Sequence, residues 1–115
     1  MAQVVRPPKP PSEKRWLTIN FDETAKDALA PGDSLANILS FVCRTTPQGD
    51  DVTSEMVEAG TVSIIADDKK VTFLTGHGVD RQDYEYEAIV DTLLGETLTE
   101  NLILEVRGRN VEPTS

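Results

Sequence analysis

The fold is decided by residues 71–106, which read VTFLTGHGVDRQDYEYEAIVDTLLGETLTENLILEV. The pattern predicts three β-strands in succession, separated by a Gly-His-Gly turn at 76–78 and by a second turn around Gly95. In the middle strand, apolar and acidic residues alternate, which assigns one face to a core and the other to solvent. The core face holds Tyr84, Tyr86, Ala88 and Val90, and the solvent face holds Glu85, Glu87 and Asp91. We therefore expect residues 71–106 to form half of a small β-sandwich.

On the N-terminal side of this stretch, the sequence predicts four further short strands joined by polar turns. The segment Asp22 to Ala30 has some helical character, but the turn at Pro31-Gly32-Asp33 follows at once, so we interpret it as a connection. Strands that recur every 8 to 12 residues or so are typical of an immunoglobulin-like antiparallel sandwich. The predicted strands are 16–21, 34–44, 53–58, 61–66, 71–75, 84–92 and 98–107.

The composition predicts an aliphatic core, since 38% of the residues are hydrophobic and only 5% are aromatic. Trp16 is expected to be one of the few large residues of this core, at the boundary where the N-terminal arm joins the sandwich. Cys43 is the only cysteine, which excludes an intrachain disulfide and predicts a buried free thiol. The other residues expected to be buried are Leu17, Ile19, Phe21, Leu39, Phe41, Val62, Ile64, Phe73, Tyr84, Tyr86, Val90, Leu102 and Leu104.

Three segments are predicted: a proline-rich arm (1–13), the sandwich (14–107) and a short tail (108–115). The arm contains Pro7, Pro8, Pro10 and Pro11. Proline lacks the N–H that a strand ladder needs, so the arm is expected to be extended polyproline II or disordered until a partner binds it. It is interpreted as a spacer or as an arm that clasps a neighbouring subunit. Its deletion is expected to leave the sandwich folded.

The net charge of −9, from 11 basic and 20 acidic residues, argues against a nucleic-acid partner. The arm is locally basic, and it either keeps the protein soluble or reaches an acidic neighbour such as a second copy. The sequence shows no signal peptide and no run of about 20 apolar residues, so we expect synthesis in a cytoplasm and no membrane contact.

Several motifs together resemble the small immunoglobulin-like structural proteins of tailed bacteriophages, the fiber-tail adaptors among them. The resemblance covers residues 14–107 and rests on an early aromatic strand at Trp16, a Leu-X-X-Gly-Asp-Ser turn ending at Ser34, a glycine-rich turn at 76–78 and a strand led by Tyr84. This chain has Gly-His-Gly where the pattern has Gly-Gly, and Leu93-Leu94-Gly95 in the last hairpin. The resemblance implies an adaptor or decoration subunit of a virion.

No motif in the sequence predicts catalysis. His77 is the only histidine and lies between two glycines, where an exposed turn residue is the usual case. Acidic pairs such as Asp50-Asp51 and Asp67-Asp68 lack the spacing of a calcium loop. We therefore expect no enzymatic activity, no cofactor and no metal.

The leading hypothesis is a non-enzymatic virion subunit that forms a symmetric homo-oligomer in the particle and docks on tail, neck, fiber or capsid proteins. Contacts are expected from the arm, the tail and the loops at 45–51 and 76–83. A free-standing module that binds carbohydrate or a receptor is the alternative. The candidate contact residues are Arg6, Lys9, Lys14, Arg15, Gln48, Asp50, His77, Asp80, Arg81, Arg107 and Arg109.

Overall fold

The computed structural model describes residues 3–4, 9–21, 29–65 and 68–108, and these residues form an all-β protein with one short helix. Most of the connection at 22–30 and of the tail at 108–115 lies outside the described residues. The strands are β1 (Gln3–Val4), β2 (Arg15–Asn20), β3 (Leu35–Thr46), β4 (Ser63–Ile65), β5 (Lys70–Thr75), β6 (Asp83–Thr92) and β7 (Thr97–Glu105), and the helix is α1 (Thr53–Met56).

The strands form two sheets. One sheet has the order β1-β7-β6-β3, in which β1 runs parallel to β7 and the other pairs are antiparallel. The other sheet is antiparallel and has the order β2-β5-β4. The inward side chains of both sheets meet in one core, where Phe73 lies between Phe41 and Tyr86 with ring centroids 4.8 and 4.7 Å away. The predicted all-β class is therefore confirmed.

Period-2 alternation predicted most of the core correctly, because a strand with one buried face has a fixed register. In β6 every second residue is buried, beginning with Tyr84. Cys43 is buried as a free thiol. Phe41, Val62 and Ile64 are partly buried and pack against the core. The other predicted core residues that are buried are Leu17, Ile19, Phe21, Phe73, Tyr84, Tyr86, Val90, Leu102 and Leu104.

Two predicted core residues are on the surface. Leu39 is 54% exposed because the register between β3 and β6 shifts between Ile38 and Ser40, and a bulge of this kind adds a residue that the simple alternation does not count. Trp16 is 59% exposed because it alternates with Leu17, whose side chain occupies the core face of β2. The largest aromatic side chain therefore belongs to the outer face of the three-stranded sheet.

The strand predicted at 53–58 is wrong, since residues Thr53–Met56 form α1. Asp51 favours this turn because its Oδ1 accepts hydrogen bonds from the Thr53 N–H at 3.0 Å and from the Thr53 hydroxyl at 2.7 Å. The helix places Met56 in the core. It also brings the Thr53 hydroxyl to the outer edge of β3, where it accepts a hydrogen bond from the Cys43 N–H. The segment thus covers part of an edge strand that is otherwise open.

The described residues of the arm pair with the rest of the chain. Gln3 and Val4 pair with Leu102 and Ile103 of β7, and Lys9 forms a parallel bridge with Val106. The expectation that the arm becomes ordered only on a partner is therefore wrong for these residues. An edge strand offers N–H and C=O groups that an extended segment can use, and here β7 offers them to the arm of the same chain.

Candidate docking surfaces

Segments from four parts of the sequence meet at one end of the molecule, which we call the loop end: residues 9–15, 47–50, 76–82 and 107–108. The pairing register requires this arrangement. Arg15 at the start of β2 lies opposite Thr75 at the end of β5. Asp83 at the start of β6 lies between Thr46 at the end of β3 and Glu105 at the end of β7. The structure therefore brings together the predicted contact loops, the base of the arm and the first residues of the tail.

Lys9 fixes the arm to the loop end. Its side chain is fully buried, and its Nζ donates hydrogen bonds to the carbonyls of Pro10 at 2.8 Å, Glu13 at 2.7 Å and His77 at 2.7 Å, with the Pro11 carbonyl at 3.4 Å. Burial lowers the pKa of Lys9 below its usual value, with Glu13 acting in the opposite direction. Lys9 is therefore an internal clamp and is not available to a partner, contrary to its predicted role.

The loop at 76–82 is held in place by hydrogen bonds from backbone N–H groups to backbone and side-chain oxygens. The Tyr84 hydroxyl accepts a hydrogen bond from the Val79 N–H at 3.0 Å, and the Arg81 N–H donates to the Val106 carbonyl at 2.8 Å. The Gly108 N–H donates to Oδ1 of Asp80 at 2.6 Å. This loop therefore presents its exposed side chains in a fixed arrangement.

Two exposed residues of this loop have left-handed backbone conformations. The φ angle is 60° at His77 and 69° at Arg81. Glycine adopts this conformation without steric cost, whereas other residues pay for the contact of Cβ with the backbone. Asp68, in the turn between β4 and β5, has the same conformation with φ of 59°, so what distinguishes His77 and Arg81 is their position at the loop end.

Most cations of the loop end are already paired within the chain. Lys14 Nζ lies 3.6 Å from Glu58, Arg15 Nη2 lies 2.6 Å from Glu13, and Arg107 Nη2 lies 2.9 Å from Asp83. Arg81 is exposed, and within the described ranges it forms no ion pair. It is therefore the loop-end cation best placed to bind an acidic group on another molecule.

The remaining predicted contact residues are divided between this surface and undescribed segments. Gln48 and Asp50 are exposed on the neighbouring loop, where the Gln48 Oε1 accepts a hydrogen bond from Gln82 at 3.2 Å. Arg6 and Arg109 lie outside the described residues. Of the predicted contact residues, the structure leaves exposed at the loop end Lys14, Gln48, Asp50, His77, Asp80 and Arg81.

The opposite end of the molecule carries a feature that the sequence analysis did not identify. Leu93 and Leu94, at the tip of the hairpin between β6 and β7, are 70% and 67% exposed. The Leu93 N–H donates to the Ser34 carbonyl at 3.0 Å, and the Leu94 N–H donates to Oδ1 of Asp33 at 3.1 Å. Both backbones are thus fixed while both side chains project into solvent. We call these two residues the leucine finger.

Asp33 is the residue that holds the finger. It is buried and also accepts a hydrogen bond from the Ser34 N–H at 2.8 Å. Desolvation acts to raise the pKa of Asp33, but hydrogen bonds from Thr92, Ser34 and Leu94 lower it below the usual value. The Gly-Asp-Ser turn therefore has a structural function that fixes the last hairpin.

A shallow cleft lies beside β3, between the strand and the segment that follows α1. Its volume is about 390 Å³, and its apolar lining includes Phe41, Val57, Ala59 and Val62. Two polar residues at its rim are used by the chain itself, since the Thr53 hydroxyl contacts Asp51 and Cys43 and Glu58 pairs with Lys14. We call it the Phe41 cleft.

Burial disfavours the ionisation of Cys43 and Tyr86 in the core. Burial raises the pKa of Cys43 to about 12 and also raises the pKa of Tyr86. The Tyr86 and Thr75 hydroxyls form a hydrogen bond with an O···O distance of 2.5 Å. In the part of the chain that the structure describes, no three His, Cys, Asp or Glu side chains are grouped so as to hold a metal ion. No helix among the described residues is long and apolar enough to cross a membrane.

Two signals for the features missed by sequence reasoning were present. The alternation of Trp16 with Leu17 and Ile19 already places Trp16 on the outer face, and two adjacent leucines in a glycine-containing turn indicate exposure. No local pattern indicates the burial of Lys9.

Comparison of the chain with protein-family models, curated proteins and solved structures gives no match.

Proposed function

We propose that this chain is an immunoglobulin-like domain that serves as a non-enzymatic structural subunit of a bacteriophage virion and docks on neighbouring subunits through its loop end. The strand orders support this proposal: β7-β6-β3 has the order of the G-F-C sheet of a constant-type immunoglobulin domain, and β2-β5-β4 has the order of strands B, E and D of its other sheet. Strand A of that sheet has no counterpart in the three-stranded sheet of the described residues. Tyr84 near the start of β6 supports the same proposal, because its hydroxyl accepts a hydrogen bond from the Val79 N–H. In immunoglobulin domains, a tyrosine near the start of strand F forms a similar hydrogen bond to the backbone a few residues upstream. Tyr86 then stands where a disulfide-bonded domain has its second cysteine.

One observation carries the docking role: the exposed residues His77 and Arg81 lie on a hydrogen-bonded loop at the end of the molecule where the predicted contact segments meet. Neither left-handed residue is needed to close the turn, since glycine would do so more favourably. Rigid presentation reduces the entropy lost on binding. The family resemblance supports placing this surface on a virion, where repeated subunits contact symmetric neighbours.

The test is the incorporation of loop-end variants into particles of the phage that encodes the chain. His77→Gly and Arg81→Gly remove a side chain and relieve the backbone, so they should not lower the melting temperature, but they should reduce the copies of the protein in purified particles. Asp68→Gly is the matched control, because Asp68 is exposed and left-handed, with φ of 59°, but lies in the turn between β4 and β5 at the other end. Absence of the wild-type protein from purified particles would refute the virion role.

A specific observation also favours the alternative of a carbohydrate-binding module. Trp16 projects from the outer face of the three-stranded sheet beside Leu74 and close to Thr18, and an exposed indole of this kind can stack on a sugar ring. Trp16 is the only tryptophan, so its fluorescence reports directly on this face. Titration with host-cell polysaccharides should quench or shift the emission if this function is correct, and an unchanged spectrum at saturating concentrations would exclude it.

A further inference from the structure

We infer that the chain associates with itself through the two outer faces of its sandwich, so that the outer face of β2-β5-β4 on one copy packs on the outer face of β3-β6-β7 on a second copy. The two faces differ in charge and lie on opposite sides of the molecule. A contact between two different faces is heterologous, so it adds copies in a row instead of closing a pair. This self-association goes beyond the virion role and does not depend on it.

The outer face of the three-stranded sheet, which we call the tryptophan face, has no acidic residue in its strands. Trp16 is 59% exposed and Ile65 is 39% exposed, so the face is partly apolar. Lys70 is its strand cation, and within the described ranges Lys70 forms no ion pair. The residues that the pairing register places on this face are Trp16, Thr18, Asn20, Ser63, Ile65, Lys70, Thr72 and Leu74.

The outer face of β3-β6-β7, which we call the acidic face, has the opposite character. Its only basic strand residue is Arg44, which lies 3.7 Å from Glu87. Glu85 and Asp91 form no ion pair within the described ranges, and Oδ1 of Asp91 is buried without a hydrogen-bond partner. The acidic strand residues on this face are Asp83, Glu85, Glu87, Asp91 and Glu105.

The charges of the two faces also match in spacing. Lys14 directly precedes β2, and Lys70 lies opposite Asn20 at the other end of that strand, which is six residues from Lys14. Glu85 and Asp91 are likewise six residues apart on β6. At about 3.3 Å per residue, both separations are about 20 Å. One placement of the second copy therefore pairs Lys70 with Glu85 and Lys14 with Asp91.

The same placement covers the exposed indole. Trp16 follows Lys14 by two residues and Ile89 precedes Asp91 by two residues, so the indole lies on Ile89, which is half-buried in its own chain. Packing of the indole on Ile89 removes apolar surface from water on both copies. The two charge pairs fix the orientation of the contact and exclude the alternative of two like faces.

The first test is sedimentation velocity of the full chain at rising protein concentration. A face of three short strands makes a small interface and binds weakly, so the protein is examined up to about 1 mM. The weight-average mass of the wild-type chain should rise with concentration and pass twice the mass of the monomer. A monomer at every concentration, or a dimer that grows no further, would overturn the inference.

An exchange of charge between the faces tests the proposed pairing. Lys70→Glu and Glu85→Lys should each weaken self-association at least about tenfold, because each variant places like charges opposite each other. Glu85→Lys makes the protein less negative, so general repulsion alone would give the opposite result for this variant. An equimolar mixture of the two variants should associate again, as should the double variant. A mixture that stays monomeric, with both variants folded by circular dichroism, would contradict the pairing.

Two further variants distinguish this contact from other surfaces. Trp16→Ser should weaken self-association, whereas the leucine finger variant, Leu93→Ser with Leu94→Ser, should associate like the wild-type chain. Loss of association in the finger variant, or full association of Trp16→Ser, would assign the contact to another surface. A monomeric wild-type chain whose Trp16 emission responds to a polysaccharide would assign the tryptophan face to carbohydrate instead.

Discussion

Replacement of Lys9 by methionine is predicted to destabilise the protein, because it removes the buried ammonium group that bonds a partly buried cluster of carbonyl groups. The substitution keeps an unbranched side chain as far as Cε, with sulfur in place of Cδ, and removes the ammonium group. The Pro10 carbonyl retains a partner, since it also accepts a hydrogen bond from the Glu13 N–H at 3.2 Å. The Glu13 and His77 carbonyls, each 2.7 Å from Nζ, lose theirs.

The expected cost follows from these two acceptors. A buried polar group left without a partner costs about 1–3 kcal/mol, and relief of the desolvation of the ammonium offsets part of the sum. Because both carbonyls are only partly buried, we expect the free energy of unfolding to fall by about 1–3 kcal/mol, a sizeable fraction of the stability of a typical domain. Urea denaturation followed by far-ultraviolet circular dichroism measures this directly.

Lys14→Met is the matched control. The Lys14 side chain is 57% exposed and lies 3.6 Å from Glu58, so its loss should change the free energy of unfolding by less than about 1 kcal/mol. Deletion of residues 1–13 should cost at least as much as Lys9→Met, because it removes the clamp together with its neighbours. A Lys9→Met variant as stable as the Lys14→Met variant would refute the clamp.

Three further predictions concern the core and its pH dependence. Tyr84→Phe should cost about 1–2 kcal/mol in denaturant titrations, because the Val79 N–H loses its acceptor, and a cost near zero would mean that water replaces the hydroxyl. Phe73→Ala should cost about 3–5 kcal/mol whereas Leu39→Ala should be nearly neutral, and equal costs would contradict the observed register. Burial raises the pKa of the Cys43 thiol from 9.0 in the unfolded chain to about 12 in the folded protein. The stability that the buried thiol contributes is therefore complete below pH 9 and is lost as the pH rises toward 12. Cys43→Ala should reduce that loss by up to about 1.4 kcal/mol per pH unit, and an unchanged pH profile would contradict the burial of the thiol.

Alternation in the sequence predicted the parts of the fold where one face of a strand meets the core. β6 and β7 follow the period-2 rule along their whole length, so both strands and most of their buried residues were predicted correctly. Thr92, Leu98 and Glu100 are also buried but were not predicted to be. β3 departs from the rule because the bulge beside Leu39 shifts its register, and a bulge depends on the partner strand as well as on local sequence. The prediction for Leu39 failed for that reason.

The candidate surfaces were predicted in part. The loops at 45–51 and 76–83 were expected to carry contacts, and the structure brings them together at one end. The burial of Lys9 was beyond local pattern, because its acceptors include the carbonyl of His77, far away in the sequence. Lysine is rarely buried, and only the combined geometry of the arm and the loop provides enough acceptors to allow it.

Site-specific photo-crosslinking in assembled particles is the measurement that tests the docking role of the loop end most directly. A photo-reactive amino acid is placed at the position of Arg81 and, in a separate variant, at the position of Asp68, which has a similar exposure and backbone conformation at the other end. The account predicts that the probe at position 81 forms a covalent product with one other virion protein, identified by mass spectrometry, and that the probe at 68 does not form this product. Equal yields of this product from the two positions, or no product from position 81 in particles that contain the protein, would contradict the docking role of the loop end.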